Sequence, residues 1–453
     1  MIKKVSGAIC GQKQGKVAKG FSPLGPKTYL CKSKYCNEME ERRVVITGMG
    51  VISPIGNDID TFKHSIAEGV CGIVPIEGMD EFGELPVHVA GRVRDFNPVG
   101  LGMDAASVRR SDQFSQFATC AAIQAVAQSG LESGVNIEPD RFGVYVGSGI
   151  GGMQTFVKQT RVMVDEGVSR ISPHFIPMLI SNIGAGNIAI RFNAQGPCLP
   201  VVSACSTSTH AVGEAFRAIK YGQADAIIAG GSEAAVTPLG LGGFANIKAL
   251  STSTDPLQAS LPFDRRRGGF VMAEGAAMLV LEEYGHAVRR GAQIIAEVAG
   301  YGNTCDAYHY TAPRPDGTTT AAAVKQSLRE AGYESGKMLY INAHGTGTLL
   351  NDKCETAAFK LALGEDEARK AMISSTKSMT GHMIGAAGAA ELIASAIALQ
   401  CGFLPPTIGY SEPDPDCDLD YIPRTARQIQ AEFALSSSLG FGGHNAVVTL
   451  RRI

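Results

Sequence analysis

Apolar residues along this chain gather in short unbroken runs rather than in strict alternation with polar ones. The clearest runs are VVITGMGV at 44–51, FGVYVGSG at 142–149, ADAIIAGG at 224–231, AAMLVLEE at 276–283, LYINAHG at 339–345, FALSSSLG at 433–440 and AVVTLRRI at 446–453. Continuous runs of this kind predict strands covered on both faces. Between them the spacing turns helical, as in FSQFATCAAIQAVAQSG at 114–130 and AAGAAELIASAIALQCG at 386–402. The alternation predicts an α/β protein with a largely parallel sheet. Most strands run into glycine turns: GMG at 48–50, GSGIGG at 147–152, GG at 230–231, HGTG at 344–347 and GFGG at 440–443. In open α/β sheets, sites collect at such carboxyl ends. GSGIGG has neither the spacing and downstream acid of a dinucleotide fingerprint nor the Lys-Ser/Thr of a phosphate loop, so nucleotide binding is not expected.

Composition narrows the class. Of 453 residues, 45% are hydrophobic and 19% charged, with a net charge of −2. That is enough apolar material for a large core, and it leaves no strongly basic face for nucleic acid. No apolar run is read as the roughly 18–20 residues of a membrane span. The 11 cysteines are scattered, mostly in apolar settings such as FATCAAI and ALQCGFL, and read as reduced thiols rather than a disulfide framework. Residues 1–41 stand apart: up to residue 37 they carry eight Lys and no acid. They lack the Arg of a typical transit sequence and the apolar core, about 7–15 residues, of a secretion signal. They are read as a disordered N-terminal extension. The location expected is the cytoplasm, or an organelle such as a plastid should 1–41 act as a targeting peptide.

Candidate chemistry centres on VVSACSTSTHAVGEAFRAIKYG at 201–222. Cys205 lies between a β-branched run and a helical pattern, among small Ser, Thr and Ala residues that allow a sharp turn. At a helix start, free N–H groups and the helix dipole favour thiolate, so a nucleophile is predicted rather than a packing thiol. Two histidines, His344 in YINAHGTGTLLND and His382 in SSTKSMTGHMIGAAGAAE, follow strands and run into glycine turns. That shared placement suggests one site with Cys205. No Cys, His, Asp and Glu grouping has zinc-ligand spacing, so no metal is expected.

Four motifs, VSACSTS, NAHGTGT, KSMTGHMIGAAG and LGFGGHN, together resemble the β-ketoacyl-acyl carrier protein synthases, most closely the synthase II type of the thiolase superfamily. The likeness runs in order from about residue 43 to 453, and it extends to GVYVGSGIGGM, ADAIIAGGSEAA, RRRGGFVMAEGA and GNTCDAYHYTAP. It implies a thiolase-like fold of two similar halves in five layers, αβαβα. The half with the catalytic Cys would span 42–295, and the half with the two catalytic His 296–453. It further implies a homodimer, an acyl carrier protein bearing acyl and malonyl groups as partner, and no cofactor. The activity implied is a decarboxylative Claisen condensation that elongates fatty acyl chains by two carbons.

Roles follow from the same resemblance. Cys205 would take the acyl chain as a thioester, and His344 and His382, as neutral donors, would hold the thioester oxygen while CO2 leaves. Lys377 and Glu391 would organise the histidines, and the backbone N–H groups of Cys205 and Phe441 would form the second oxyanion site. Thr346 and Thr348 would hydrogen-bond the phosphopantetheine arm. Ile150 would border the acyl tunnel, and Phe175 would reach across the dimer interface. Arg109, Arg110 and Lys248 would meet the acidic carrier. The chain departs from the family pattern at Gly268, where an acid is usual, at Leu349 and Asn351, where Pro and Gly are common, and at His174, where an aromatic is usual. These positions bear on substrate range rather than on the reaction. A polyketide or specialised-lipid ketosynthase stays open, as does a non-catalytic chain-length-factor-like subunit, which Cys205 argues against. A thiolase would need a second Cys in the GFGGHN turn.

Overall fold

The computed structural model describes residues 42–77 and 85–453; the extension expected over 1–41 lies outside them. The strands, in chain order, are β1 (Val44–Ile52), β2 (Ile73–Pro75), β3 (Val89–Gly91), β4 (Phe142–Gly147), β5 (Ala226–Glu233), β6 (Gly275–Glu283), β7 (Ala296–Cys305), β8 (Leu339–Asn342), β9 (Met372–Ser374), β10 (Phe433–Gly440) and β11 (His444–Arg451). β2 and β3 form a small separate pair, and the other nine follow the order β4-β5-β6-β1-β7-β11-β10-β8-β9.

Read outward from the β1–β7 seam, the two arms repeat one pattern. β1–β6 and β6–β5 are antiparallel and β5–β4 is parallel. In the other arm β7–β11 and β11–β10 are antiparallel and β10–β8 is parallel, with β9 added parallel to β8. The seam itself is short, pairing Val44–Ile46 with Val298–Ala296. Helix Gln113–Ser129 covers the outer face of the first arm and helix Thr318–Glu330 that of the second. Helices Thr207–Lys220 and Ala387–Cys401 lie between the arms, each touching strands of both. The result is five layers, α-β-α-β-α, from two similar halves.

The sheet is mixed, not largely parallel: only β4–β5, β8–β10 and β8–β9 are parallel. A strand buried on both faces has the same apolar run in either direction, so the pattern does not encode direction. The GFGG turn does encode it, because joining β10 to β11 through so few residues requires a hairpin. The reading of membrane-length runs also needs correction. Ile384–Cys401 spans 18 residues and is apolar enough to cross a bilayer, yet it is 89% buried inside the protein as the central helix of the second half. A helix with strands on both sides is apolar all round.

The two central helices approach closely at their N-termini. Ser208 Oγ accepts from the Ala389 N–H at 2.9 Å, and Thr209 Oγ1 bonds Ser438 Oγ at 2.7 Å. A Cβ on Gly388 would lie 1.8 Å from Thr209 Oγ1. Gly388→Ala is therefore expected to destabilise the protein by about 1–3 kcal/mol through overpacking, read as a lower midpoint in chemical denaturation. A wild-type midpoint would show that the central layer can give way.

Candidate active site

The first half supplies the thiol. Cys205 occupies a single 3-10 turn, Ala204–Ser206, that runs into helix Thr207–Lys220. Ala204 has φ +52°, a left-handed conformation that costs a residue with a Cβ about 1–3 kcal/mol and marks a held, sharp turn. Glycines on both sides make room: a Cβ on Gly147 would lie 1.9 Å from Val201 O, and one on Gly440 would lie 2.5 Å from Ser203 O. Burial pushes the Cys205 thiol up to about 12 against the Lys377 charge and the N–H groups of Phe441 and Cys205, while the nearby Glu233 carboxylate adds to the rise. The thiolate expected from the helix start is thus not the resting form. The local dipole is outweighed by desolvation in the apolar cluster around the sulfur, which includes Leu241, Phe270, Met272 and Ile384.

The second half supplies the imidazoles. His344 follows β8, and its backbone N–H donates to Glu355 Oε1 at 2.7 Å. His382 follows the short helix Lys377–Thr380, and its backbone is stitched to the first half: its N–H donates to Val271 O at 2.7 Å and its carbonyl accepts from Ala273 N at 2.8 Å. The two rings meet edge to face with centroids 5.2 Å apart. Nδ1 of His344 and both ring nitrogens of His382 have no hydrogen-bond partner among the described residues. Burial first, then the Lys377 charge, hold both imidazoles well below their ordinary 6.5, so both are neutral.

Lys377 is 1% exposed and ion-paired with the equally buried Glu391. Glu391 Oε2 has no partner, and burial raises the carboxyl despite the lysine. One ammonium therefore acts on Cys205, His344 and His382 together.

A cavity of about 320 Å³ is lined by Cys205, His344, His382, Thr346, Thr348 and Phe441, with Lys248 also on its wall. Thr346 and Thr348 hydroxyls bond each other at 3.0 Å. Three of the departures, Gly268, Leu349 and Asn351, also line it. Leu349 and Leu350 are 59% and 63% exposed there, giving an apolar rim. Ile150 does not line this cavity; it packs against the apolar cluster that contains Cys205 and Ile384. Phe175 starts a short helix, Phe175–Leu179, away from the cavity, as does His174 before it. Arg109 and Arg110 are exposed at the end of helix Ala105–Arg109, also off the cavity.

Two buried carboxylates were not foreseen. Glu355 holds the His344 turn, accepting also from the Gly345 N–H at 2.8 Å and Ser437 Oγ at 2.6 Å. Glu233, the last residue of β5, holds the GSGIGG turn. For Glu233, a Glu at the end of the apolar run AIIAGGSE was the available signal, since such a charge needs partners; Glu355, in the polar stretch NDKCET, carries no such signal.

Residues 41–287 match the profile of the beta-ketoacyl synthase N-terminal domain, and 295–411 that of the C-terminal domain. The chain belongs to the β-ketoacyl synthase family. A 3-oxoacyl-[acyl-carrier-protein] synthase 2 of Coxiella burnetii is 46% identical over 92% of this chain and all of its own. One of Synechocystis is 44% identical over 91% of this chain and 99% of its own. Among solved structures, a beta-ketoacyl synthase from Burkholderia phymatum covers 91% of this chain and all of its own, at TM-score 0.84 and 33% identity. A type II polyketide ketosynthase, solved with its acyl-carrier protein and bound to a hexaketide, has the same coverage and TM-score at 34% identity.

Because the folded state depresses both imidazoles, their contribution to stability is complete above 6.5 and is lost only as pH falls through their lowered values. NMR of histidine-labelled protein should show two rings, assigned by His344→Ala and His382→Ala, that stay neutral as pH falls through 6.5. Ordinary titration of either ring near 6.5 would contradict the dry, Lys377-facing site.

Proposed function

We propose that this β-ketoacyl synthase is the elongating acyltransferase of fatty acid synthesis, joining an acyl group on Cys205 to malonyl-acyl carrier protein. The observation that carries this is the pairing of a buried thiol, with two N–H groups aimed at its sulfur, and two neutral imidazoles with unpartnered nitrogens in one cavity. In the first step a bond forms between Cys205 Sγ and the acyl carbonyl carbon. The carrier thiol leaves with the proton that Cys205 gives up, and the Lys377 charge favours that loss. Malonyl carrier protein then enters, with Thr346 and Thr348 along its arm. The bond to CO2 breaks, and its electron pair moves toward the thioester oxygen, where His344 and His382 donate. Neutral donors suit this step, since an imidazolium would form an ion pair with the malonyl carboxylate and retain it. The enolate carbon attacks the acyl-enzyme, the N–H groups of Cys205 and Phe441 hold the new oxyanion, and collapse returns the Cys205 thiolate and a 3-ketoacyl product two carbons longer. Lys377 and Glu391 position this set.

Greater identity to the synthase 2 enzymes than to the polyketide ketosynthase favours the fatty acid pathway over a specialised one. A homodimer accounts for the exposed apolar residues Met163, Val168, Ile176, Ile190, Leu199 and Val202. Leu199 belongs to a segment hydrogen-bonded along β4, at the outer edge of the first arm, where a second copy can continue the sheet. Phe175 sits in this region. The two halves divide near 295, between the two matched profiles. The cytoplasm is the setting that fits the bacterial relatives.

Cys205→Ser should fold and dimerise but form no acyl-enzyme, read as loss of the mass adduct after incubation with acyl carrier protein. A rate of condensation near wild type would remove Cys205 from its role. Cys205→Gln should still release CO2 from malonyl carrier protein, and adding His344→Ala or His382→Ala should cut that release by about 10²–10³-fold; unchanged release would defeat the shared-donor scheme. Reversing the charge at Arg109, Arg110 and Lys248 should raise KM for carrier-bound substrate and leave a small thioester unaffected, because rim charges act through salt-screened steering. Equal losses with both substrates would reassign these residues to the fold.

A further inference from the structure

Among the departures from the family pattern that line the Cys205 cavity, Asn351 stands between two buried charges. It is the third residue of helix Leu349–Leu363 and is 7% exposed. Its Nδ2 donates to Asp352 Oδ1 at 3.0 Å and to Glu355 Oε2 at 3.3 Å. Both carboxylates are fully buried, and both also hold the turn that carries His344 and Thr346. Glu355 Oε1 accepts from the His344 N–H and Ser437 Oγ, and Oε2 accepts from the Gly345 N–H as well. Asp352 accepts from the Gly347 N–H at 3.3 Å and the Phe263 N–H at 2.8 Å, with Arg267 Nε 3.7 Å from its Oδ2. Each oxygen of Glu355 thus faces two donors, which leaves this carboxylate no position for a proton. An amide beside two such acceptors must present its NH2 to them, since the flipped amide would set its carbonyl against two carboxylates. The orientation of Asn351 is therefore fixed, and Oδ1 is the end left over. Oδ1 has no donor among the described residues and is open to solvent, on a side chain that lines the cavity.

We propose that Asn351 is a substrate-binding residue: the two carboxylates aim its carbonyl into the cavity, where Oδ1 accepts an amide N–H of the pantetheine-type arm that carries the acyl or malonyl group. The site rests on the ketosynthase reading. The chemistry of the arm suits it, because each amide of the arm brings an N–H that needs an acceptor once water is displaced. The Thr346 and Thr348 hydroxyls on the same wall already bond each other at 3.0 Å, whereas Oδ1 is free of such a partner. Donation from Nδ2 to ionised groups polarises the amide and strengthens its oxygen as an acceptor. A glycine here, common in the family, would offer the arm no side-chain acceptor.

The test compares saturated acyl-pantetheine thioesters with the same compounds methylated on both amide nitrogens, reading the mass adduct on Cys205 against thioester concentration. Asn351→Ala removes the amide and leaves both carboxylates their backbone donors. With the unmethylated thioester it should raise KM about fivefold, the worth of one ordinary hydrogen bond, and keep the limiting rate of adduct formation within about twofold. Methylation should cost wild type about fivefold more than it costs the variant, which has no acceptor left to lose. Should Asn351→Ala fail to fold, read by circular dichroism, Asn351→Gly takes its place in the same comparison. An unchanged KM, or an equal cost of methylation in wild type and variant, overturns the site. Absence of any adduct in wild type, while iodoacetamide still alkylates Cys205, defeats the ketosynthase reading and the arm site with it.

Discussion

A single ammonium in a dry place governs this protein. Lys377 brings a positive charge to the junction of the two halves, and only one carboxylate oxygen of Glu391 answers it directly. Burying such a pair is costly, and losing one partner would strand the other, at about 3–5 kcal/mol. What the charge does explains its retention. The same field that makes an imidazolium unfavourable makes a thiolate favourable, so one group biases His344 and His382 toward the neutral imidazole and Cys205 toward the thiolate. Desolvation works with the lysine at the histidines and against it at the thiol, which is why the imidazoles are firmly neutral while the sulfur keeps its proton.

Around that charge, order is imposed by carboxylates that bind backbone rather than cations. Glu355 fixes the turn bearing His344, and Glu233 fixes the turn bearing Ile150. Both are raised to about 7 by burial. Glycine recurs where these carboxylates come close, as at Gly149, Gly345 and Gly385, because each donates its N–H and a Cβ would intrude. The turns GSGIGG and HGTG are therefore receptors for carboxylates inside the molecule, whereas GMG and GG at 230–231 lie within β1 and β5.

Much of this was legible in the sequence, because strand ends and chemical residue types are local signals. The position of Cys205 before a helix and of His344 after a strand follows from pattern, whereas the short helix Lys377–Thr380 stands between β9 and His382. Strand direction was not legible, since Ala226–Glu233 and Gly275–Glu283 are equally apolar and yet run antiparallel. The proton on Cys205 was misjudged for a related reason: the helix start is written beside the cysteine, whereas the residues that dehydrate it, such as Leu241, Phe270 and Ile384, come from separate segments of the chain. Lys377 and Glu391 were recognised through family likeness alone. In isolation a Lys after a strand and a Glu in a helix read as surface residues, and both are buried.

The repeated strand pattern has a consequence for recombination between relatives. Cys205 belongs to one half and His344 and His382 to the other, so neither half holds the whole cluster. The outer helices lie mainly against their own sheets, but Glu330 at the end of helix Thr318–Glu330 is ion-paired with Arg217 and Lys220 of the central helix Thr207–Lys220. The middle layer joins the halves throughout: Ser208 to Ala389, Thr209 to Ser438 and Glu233 to Gly385 are agreements between distant parts of the chain. A chimera cut between the two matched profiles would inherit two intact arms and a mismatched middle layer.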